Sequence, residues 1–417
     1  MKILHISTSD YDGGAAKAAY RLHTGLNKMG VESMMFVKNK KGEDISVIKY
    51  KYPTGLGRIL FKIQKSRIEG DYRKYKFSKP QGYEIFSDDR SSSNVNFFSQ
   101  LKEADIYNLH WTSEFVDLPA FFKNVRKPIV WTLHDMFPFT GGCHYNSGCE
   151  NFHFHCQMCP QLGSKTAKDL SFRIWERKFK AINSHKGEFI VRTDSNWLTR
   201  EAEKSALFAG LDIRTIHYGI ETDEFIPRDK KSCRKALGIP DNCKVIVFGA
   251  PGIHNPRKGF MQLNESLGII RKKIPDIFLL SFGVGSYSTD NGIRGLHAGY
   301  ITNNNLLSVI YSCADIFVIP SLQEAFGQTA LEAMSCGIPV AGFNTGGIPD
   351  MIEDGRTGFL AETGNSERLA DSIIEILALS ENDYRSMSLN CRNKVLSEFT
   401  ILHQAETYYE DYKKLIF

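Results

Sequence analysis

The sequence predicts an α/β protein with two domains, each built on parallel strands. Its 417 residues are enough for two domains of ordinary size, each with its own core. The chain opens on an apolar strand, a glycine turn, a helix and a second strand, within Lys2 to Val37. In the second half, the strand Asp315 to Pro320 leads through a polar loop to a short helix and another strand.

Composition and charge exclude several classes of protein. Hydrophobic residues make up 42% and charged residues 24% of the chain, which argues against disorder and fibrous structure. The net charge of +5 is mild, so we expect no nucleic-acid partner. No apolar run approaches the roughly 20 residues that span a bilayer. The first residues enter a strand pattern directly, so we expect no signal peptide and a cytoplasmic location.

The first strand–helix junction carries the turn Ser9 to Gly14. It contains two adjacent glycines, Gly13 and Gly14, but not the full G-x-G-x-x-G of a dinucleotide site. Asp10 and Asp12 imitate a D-x-D metal motif. Asp residues beside glycine in a turn have a sufficient local explanation, so we expect no metal there.

A segment rich in basic and aromatic residues runs from 55 to 80 and has two interpretations. It is either a solvated excursion over the domain surface or a patch that meets anionic lipid head groups. A second basic stretch, Lys168 to Lys186, combines Arg173, Arg177 and Lys178 with aromatic residues. Two such stretches favour the membrane interpretation without deciding it.

Two predicted strands in the first half end in histidine. His110 follows the run that begins at Ala104, and His134 follows the run that begins at Pro128. Because ligands bind outside the carboxyl ends of parallel strands, we expect both imidazoles beside a cleft. Asp135 is placed to orient the ring of His134.

Four of the nine cysteines cluster between residues 141 and 160 with the spacing C-x5-C-x6-C-x2-C. In a reducing compartment this pattern favours a structural zinc site, with a pair of disulfides or free thiols as the alternatives. The four are Cys143, Cys149, Cys156 and Cys159. The other five are scattered in mostly apolar settings and are predicted to be buried thiols.

The stretch from Ile319 to Phe359 has the pattern of an anion site. A polar loop that ends at Gly327 precedes a short helix, and backbone N–H groups at such a helix start attract phosphate. Glu324 precedes the helix and Glu332 lies on it among apolar residues. A buried acid needs a partner, and the hydroxyls of a ribose would provide one. The alternative is that Glu324 is a helix-dipole partner and Glu332 is solvated.

The run Glu324-Ala-Phe-Gly-Gln-Thr-Ala-Leu-Glu332 resembles the E-x7-E motif of family 4 glycosyltransferases. The neighbouring sequences agree, and Thr215 to Pro227 is similar to the crossover between that family's two domains. The resemblance implies the GT-B fold, an α/β architecture of two Rossmann-like domains that face each other across a cleft. The predicted boundaries are 1–218 for the acceptor-side domain with its Cys-rich insert at 141–160, 219–398 for the nucleotide-sugar domain, and 399–417 for a helix that crosses back.

The resemblance also implies roles for particular residues. Glu332 would hold the ribose, and Glu324 would contact the transferred sugar or the neighbouring backbone. His134 would touch the sugar or its phosphate. The remaining expected donor-binding positions are Gly14, Arg257, Lys258, Phe326, Gly327, Gly346 and Gly347. The family's phosphate-binding arginine is missing, with Gly252 near its place, and Arg257 or His254 is expected to compensate.

The function implied is a retaining hexosyltransferase that needs no metal or other cofactor for catalysis. It would move a sugar from a nucleotide-sugar to a saccharide or lipid-linked saccharide in polysaccharide biosynthesis, at the inner face of the plasma membrane. The Cys-rich insert is similar to one in transferases of exopolysaccharide synthesis, the colanic-acid type among them. Two alternatives stay open: a nucleotide-sugar 2-epimerase or phosphorylase on the same fold, and a non-catalytic sugar-nucleotide-binding protein.

Overall fold

Parallel sheets form the centre of both units into which the chain divides. The computed structural model describes residues 1–80, 82–252, 254–285 and 292–416. Unit 1 comprises Met1–His217 together with Gln404–Phe417, and unit 2 comprises Tyr218–His403. Helices connect most successive parallel strands in the described part of each unit, which confirms the predicted α/β class with two Rossmann-like units.

Unit 1 contains a seven-stranded sheet whose strands all run parallel, in the order β3-β2-β1-β4-β5-β6-β7. The first strand is buried from its second residue onward, as expected for a parallel strand covered on both faces. The strands are β1 (Lys2–Ser9), β2 (Glu32–Asn39), β3 (Val47–Lys49), β4 (Ile106–Leu109), β5 (Ile129–Leu133), β6 (Phe189–Thr193) and β7 (Asp212–Thr215).

Six helices of unit 1 precede its last strand along the chain. They are α1 (Gly14–Lys28), α2 (Gly55–Arg73), α3 (Phe97–Gln100), α4 (Leu118–Asn124), α5 (Leu170–Ser184) and α6 (Asn196–Lys204). The apolar faces of α1 and α5 are buried, whereas no residue of α2 is. Helix α2 therefore lies on the surface of the unit.

Unit 2 is built on a six-stranded parallel sheet in the order β10-β9-β8-β11-β12-β13. Its strands are β8 (Lys244–Gly252), β9 (Ile277–Val284), β10 (Arg294–His297), β11 (Ile316–Ile319), β12 (Val340–Phe343) and β13 (Gly358–Ala361). Its helices are α7 (Lys230–Ala236), α8 (Phe260–Lys273), α9 (Asn304–Ser312), α10 (Gln328–Ser335), α11 (Ile348–Met351), α12 (Ser366–Leu377) and α13 (Glu381–Glu398).

The sequence pattern from about Asn382 to Lys414 predicts one helix, and this prediction is wrong. The structure has α13 and then α14 (Ile401–Ile416), with a break at residues 399–400. At the break, Thr400 forms a backbone bridge to Ile220. A Cβ atom on Gly219 would lie 2.4 Å from the carbonyl oxygen of Thr400, so glycine permits this approach.

The final helix α14 packs against the sheet of unit 1. Tyr408 and Tyr412 are fully buried there, in a cluster with apolar residues of β1, α1 and β4. The amide of Asn108 on β4 donates to the hydroxyl of Tyr412 at 2.6 Å. The guanidinium of Arg192 on β6 forms an ion pair with Asp411. These contacts make the end of the chain part of the core of unit 1.

Candidate functional site

The loop between β11 and α10 positions the first predicted acid. Its last residue, Gly327, has φ 109° and precedes the helix directly. A Cβ atom there would lie 2.8 Å from Cδ1 of Ile319 and 3.0 Å from Cε of Met351. Both the backbone conformation and the close packing require glycine at this position. The tight junction sets the course of the loop that carries Glu324.

Glu324 is buried and is paired with two cations. The ammonium of Lys258 donates to its Oε2 atom at 2.6 Å, and the hydroxyl of Ser321 donates to the same atom at 3.0 Å. A guanidinium nitrogen of Arg257 lies 3.7 Å from that oxygen. Burial acts to raise the pKa of Glu324, but Lys258 and Arg257 outweigh it and hold the pKa below its usual value. Glu324 is therefore an anion within a cluster of positive charge.

The glycine turn after β12 closes around the backbone of the same acid. The N–H of Gly347 donates to the carbonyl oxygen of Glu324 at 3.0 Å. Gly346 has φ 57°, and a Cβ atom on it would lie 1.8 Å from that carbonyl oxygen. Lys258, Glu324, Gly346 and Gly347 therefore come together at the carboxyl end of the sheet of unit 2. The structure gives the two glycines a role in holding Glu324.

Glu332 and Phe326 are both buried. The hydroxyl of Tyr311 on α9 donates to Oε2 of Glu332 at 2.9 Å, so the acid has a partner within its own unit. The hydrogen bond from Tyr311 was not predicted from the sequence. The ring of Phe326 packs edge-to-face on Tyr218, with centroids 5.1 Å apart, and is 1% exposed. Its side chain belongs to the core, so only its backbone is left for the predicted role in donor binding.

The place of the missing arginine is taken by Gly252. No atom of the described residues lies within 4 Å of where its Cβ atom would stand. Arg257, the expected substitute, directs its guanidinium to the carbonyl oxygen of Gln323 at 2.6 Å. Its guanidinium therefore contacts the loop that carries Glu324. His254 lies in the described chain, but its neighbour Ile253 lies outside it.

In unit 1, three histidines form a hydrogen-bonded chain at the carboxyl end of the sheet. His5 on β1 bonds through Nδ1 to Nε2 of His110 at 2.8 Å. His110 bonds through its own Nδ1 to Nε2 of His134 at 3.0 Å. Burial lowers the pKa of His134 to about 4, against the opposing effect of Asp135, so its ring is neutral at pH 7. The predicted site residue His134 is thus the outer member of a neutral chain.

Asp135 has other partners than the one expected. Its carboxylate accepts from Nδ1 of His144 at 2.7 Å and from the indole N–H of Trp111 at 3.0 Å. Its other oxygen accepts from the backbone N–H of Phe137. In addition, Nε2 of His134 is bonded to Nδ1 of His110. The role of Asp135 in orienting His134 stays a prediction.

The glycine pair of the first turn lies at the start of α1. Gly13 precedes the helix with φ 87°, and a Cβ atom on it would meet no other atom within 4 Å. Gly14 is the first residue of the helix. The carboxylate of Asp10 accepts from the backbone N–H groups of Lys41 and Gly42, which explains this acid as part of a turn.

The four clustered cysteines line one cavity of about 20 Å³. All nine cysteines of the chain are free thiols in this structure. Burial raises the pKa of Cys143 to about 11. Across the described ranges, however, no group of three or more His, Cys, Asp or Glu side chains is arranged to hold a metal ion. The zinc site stays a prediction, which metal analysis of freshly purified protein tests, and no step below depends on it.

The second basic stretch does not form a free basic surface. On α5, Arg177 pairs with Asp88 and Asp89, and Arg173 pairs with Asp71. The ammonium of Lys178 is buried and donates to the carbonyl oxygens of Phe137 and Thr140. The aspartates that pair with Arg173 and Arg177 lie about 90 to 100 residues away in sequence, so the local sequence pattern could not reveal the pairing. This stretch therefore no longer supports membrane binding.

Unit 1 also contains a cavity of about 450 Å³ that sequence reasoning missed. It lies between α2 and the segment 85–92, near Lys38 at the end of β2. Glu114 lines it in the left-handed region, at φ 62°, which is uncommon for a residue other than glycine. Aromatic rings of Tyr52, Phe61, Tyr72 and Phe86 contribute to its wall beside serine hydroxyls and charged groups.

A family model matches part of the second half of the chain. Residues 229–394 match the family model described as Glycosyl transferases group 1. This segment of unit 2, called the group 1 domain below, is thus similar to that family. The segment contains Arg257, Lys258, Glu324, Glu332 and the Gly346–Gly347 turn, so the described contacts belong to that domain.

Curated relatives of the group 1 domain share 28% identity with this chain. One is the N-acetyl-alpha-D-glucosaminyl L-malate synthase of Bacillus anthracis, matched over 211 residues, 48% of this chain and 54% of the relative. Another is the D-inositol 3-phosphate glycosyltransferase of Mycobacterium bovis, matched over 241 residues, 53% of this chain and 46% of the relative. The chain thus spans about half the length of the curated relatives it matches.

Solved structures extend the likeness to the whole fold. A sucrose-phosphate synthase from Thermosynechococcus elongatus has a TM-score of 0.69 at 18% identity, over 100% of this chain and 99% of that one. Anabaena Alr3699/HepE in complex with UDP-glucose has a TM-score of 0.67 at 17% identity, over 99% of this chain and 100% of that one. At these identities the likeness shows the fold, which is of the GT-B type.

Proposed function

We propose that this protein is a glycosyltransferase that moves a sugar from a nucleotide-sugar to a saccharide or lipid-linked saccharide in polysaccharide biosynthesis. The observation that carries the proposal is the Lys258–Glu324 pair, 2.6 Å long, held by the Gly346–Gly347 turn inside the group 1 domain. The UDP-glucose named with the Anabaena structure supports a nucleotide-sugar as the donor class.

The cations of this cluster would stabilise the leaving diphosphate. In the proposed reaction the bond between the anomeric carbon and the phosphate oxygen breaks, and a bond to the acceptor hydroxyl oxygen forms on the same face. The hydroxyl proton passes to the departing phosphate oxygen. Because the new bond forms on the face from which the phosphate leaves, the configuration of the anomeric carbon is retained. The proposed reaction uses no metal. Lys258 and Arg257 would stabilise the negative charge that develops on the diphosphate in the transition state. Stabilisation of that charge increases the reaction rate.

The two acids would orient the rest of the donor. Glu332 would accept hydrogen bonds from ribose hydroxyls together with the one from Tyr311, since a carboxylate accepts several. Glu324, kept anionic by its cations, would contact the transferred sugar. The neutral imidazole of His134 would offer a hydrogen bond to that sugar without adding a charge.

The acceptor would be bound by unit 1. The cavity of about 450 Å³ supports this, because aromatic rings beside carboxylates and hydroxyls are the groups that bind sugars by stacking and hydrogen bonding. It also lies near the end of β2, and the carboxyl ends of parallel strands are where α/β proteins bind ligands.

A panel of UDP-, GDP- and TDP-sugars tests the proposal. We expect one of them to bind and to release its nucleotide when a saccharide acceptor is supplied. Sugar products released without any acceptor would instead indicate an epimerase or phosphorylase, and binding without turnover would indicate a non-catalytic protein. The absence of both binding and turnover across the panel would contradict the assignment.

A further inference from the structure

Helix α2 has a surface that the proposed chemistry does not use. Leucine and isoleucine side chains recur along it at i, i+3, i+4 and i+7, which places them on one stripe. They are 80%, 55%, 56% and 44% exposed, in the order Leu56, Ile59, Leu60 and Ile63. None of the four is buried within the described chain, and α2 has no buried residue at all. Such a stripe is costly to expose to water and indicates a binding surface.

Basic side chains lie along the flank of this stripe. Arg58, Lys62 and Lys65 occupy a second row at i, i+4 and i+7, and all three are exposed. Residues 55–80 contain eight basic residues and two acidic ones. One of those acids, Asp71, is already bound by Arg90 and Arg173. The surface is therefore both apolar and strongly positive.

Charge decides between the partners that could cover this stripe. Two copies of the chain joined through α2 would bring two basic rows together, which is unfavourable. An anionic phospholipid surface accepts the apolar side chains among its acyl chains and attracts the basic row to its head groups. Phe77, which is 95% exposed and lies just beyond the helix among further lysines, fits the same partner.

We propose that α2 is a membrane-docking helix that lies in the surface of a bilayer containing anionic phospholipid. Among the described residues no helix has the length and apolarity to cross a bilayer, so any attachment through these residues is at the surface. The apolar stripe of Leu56, Ile59, Leu60 and Ile63 inserts, and Arg58, Lys62 and Lys65 contact phosphate groups. This proposal does not depend on the enzymatic assignment, since it concerns a surface of unit 1 alone.

Vesicle co-flotation of the full chain tests the proposal. The vesicles contain phosphatidylcholine alone, or equal parts of phosphatidylcholine and phosphatidylglycerol. We expect binding to the mixed vesicles that weakens as salt is added, and little binding to the neutral ones. Equal binding to both, without salt dependence, would overturn the role of the basic row. No binding to either would overturn the proposal as a whole.

Two sets of variants separate the contributions of the two rows. Ile59→Ser with Ile63→Ser should weaken binding roughly 100-fold, since each loses several buried methylene groups. The matched control, Leu389→Ser with Leu396→Ser, removes leucines that are 55% and 45% exposed on α13 and should bind normally. Arg58→Gln with Lys62→Gln should weaken binding about 30-fold, at about 1 kcal/mol per charge, while Lys272→Gln on α8 should not.

The variants also keep folding apart from binding. The substituted side chains are exposed, so unfolding midpoints should stay at the wild-type value, and a bound fraction that falls without such a shift supports docking. Stripe variants that bind vesicles as the wild type does would contradict the proposal. A wild-type dimer in analytical ultracentrifugation that the stripe variants dissociate, with no vesicle binding, would identify the surface as a self-association interface instead.

Discussion

At the scale of single residues, the group 1 domain holds an anionic glutamate between cations. Lys258, Arg257 and Ser321 converge on one oxygen of Glu324, and burial would make that charge unfavourable without them. The same three groups would also bind a diphosphate, so their charges are placed before any ligand arrives. This preorganisation is the feature from which transition-state stabilisation follows.

The lowered pKa of Glu324 predicts a particular dependence of stability on pH. A carboxyl whose folded pKa lies below its ordinary value of 4.5 stabilises the protein above that pH and loses the contribution as pH falls through the folded pKa. The free energies of unfolding of wild type and Glu324→Gln, measured with denaturant, should therefore differ by a constant amount above pH 4.5. Below that pH the wild type should lose stability more steeply than the variant.

A matched control separates this effect from the general loss of stability at acidic pH. Glu375→Gln replaces an exposed glutamate on α12 and should follow the wild type at every pH. Parallel curves for Glu324→Gln and wild type below pH 4.5 would mean that Lys258 and Arg257 do not hold the carboxyl ionised.

The histidine chain predicts one tautomer for three rings. Nε2 of His5 is buried without a hydrogen-bond partner, and a buried N–H left unpaired is rarer than a bare acceptor. His5 and His110 should therefore donate from Nδ1, and His134 should accept at Nε2. Nitrogen NMR of labelled histidine should show neutral rings protonated at Nδ1 for His5, His110 and His134.

Titration of the same spectra gives the second part of this prediction. His134 should not protonate between about pH 5.5 and 8, because burial holds its pKa at about 4. Replacement of His110 by Phe should remove the bond to Nε2 of His134 and change its tautomer signal, whereas replacement of the exposed His403 on α14 by Phe should not. A wild-type His134 that titrates near its ordinary value of 6.5 would contradict the account.

At the scale of elements, tight glycine turns place the loops that carry charge. Gly327 starts α10, Gly346 wraps the backbone of Glu324, and a Cβ atom on Gly259 would lie 1.7 Å from the carbonyl oxygen of Pro320. Because each lies where a side chain would collide with backbone or core, these turns fix the loops relative to the sheet. The strands and helices of unit 2 thus determine where Lys258 and Glu324 meet.

Gly346→Ala tests this role of the glycine turn. The new Cβ atom would overlap the carbonyl oxygen of Glu324 at 1.8 Å, so the turn must move and nucleotide-sugar binding should be lost. Gly355→Ala is the matched control, since Gly355 has φ 74° with no atom within 4 Å. It should cost about 1 kcal/mol in unfolding free energy and leave binding unchanged. Equal effects of the two substitutions on binding would contradict the role of Gly346.

The lack of a side chain at Gly252 predicts a gain of function. Gly252→Arg adds a cation at the end of β8, where no described atom lies within 4 Å of the new Cβ atom and where the resembled family carries its arginine. One added charge-assisted hydrogen bond to a diphosphate should tighten nucleotide-sugar binding about tenfold, while Gly252→Ala should leave it unchanged. Calorimetric titration measures both, and weaker binding by the arginine variant would contradict the assignment of this edge to the diphosphate.

At the scale of the whole molecule, local sequence patterns predicted the features that depend on neighbouring residues. Apolar runs predicted the strands, and glycines at strand ends predicted the loop that carries Glu324. The pairing of Lys258 with Glu324 spans 66 residues and was not predicted, since the resemblance to a family had only placed both residues at one donor site. Physical rules alone placed these residues at strand ends without showing that they touch.

Several features that were mispredicted or missed depend on contacts between residues distant in sequence. The break between α13 and α14 is set by the bridge from Thr400 to Ile220, 180 residues apart, within a segment whose local pattern is helical. The histidine chain joins His5 to His110 across 105 residues. The carboxylates that neutralise α5 are equally remote. Propensity and periodicity contain no information about such pairs.

The central claim is that Lys258 belongs to the diphosphate site of a nucleotide-sugar transferase, and calorimetric titration tests it most directly. The nucleotide-sugar that binds best is titrated into wild type, Lys258→Met and the control Lys273→Met, whose lysine is 60% exposed on α8. We expect Lys258→Met to bind the nucleotide-sugar at least about tenfold more weakly than the wild type, because a charge-assisted hydrogen bond contributes roughly 1.5–3 kcal/mol. Lys273→Met should bind as the wild type does. Wild-type affinity in a folded Lys258→Met variant would contradict the central claim.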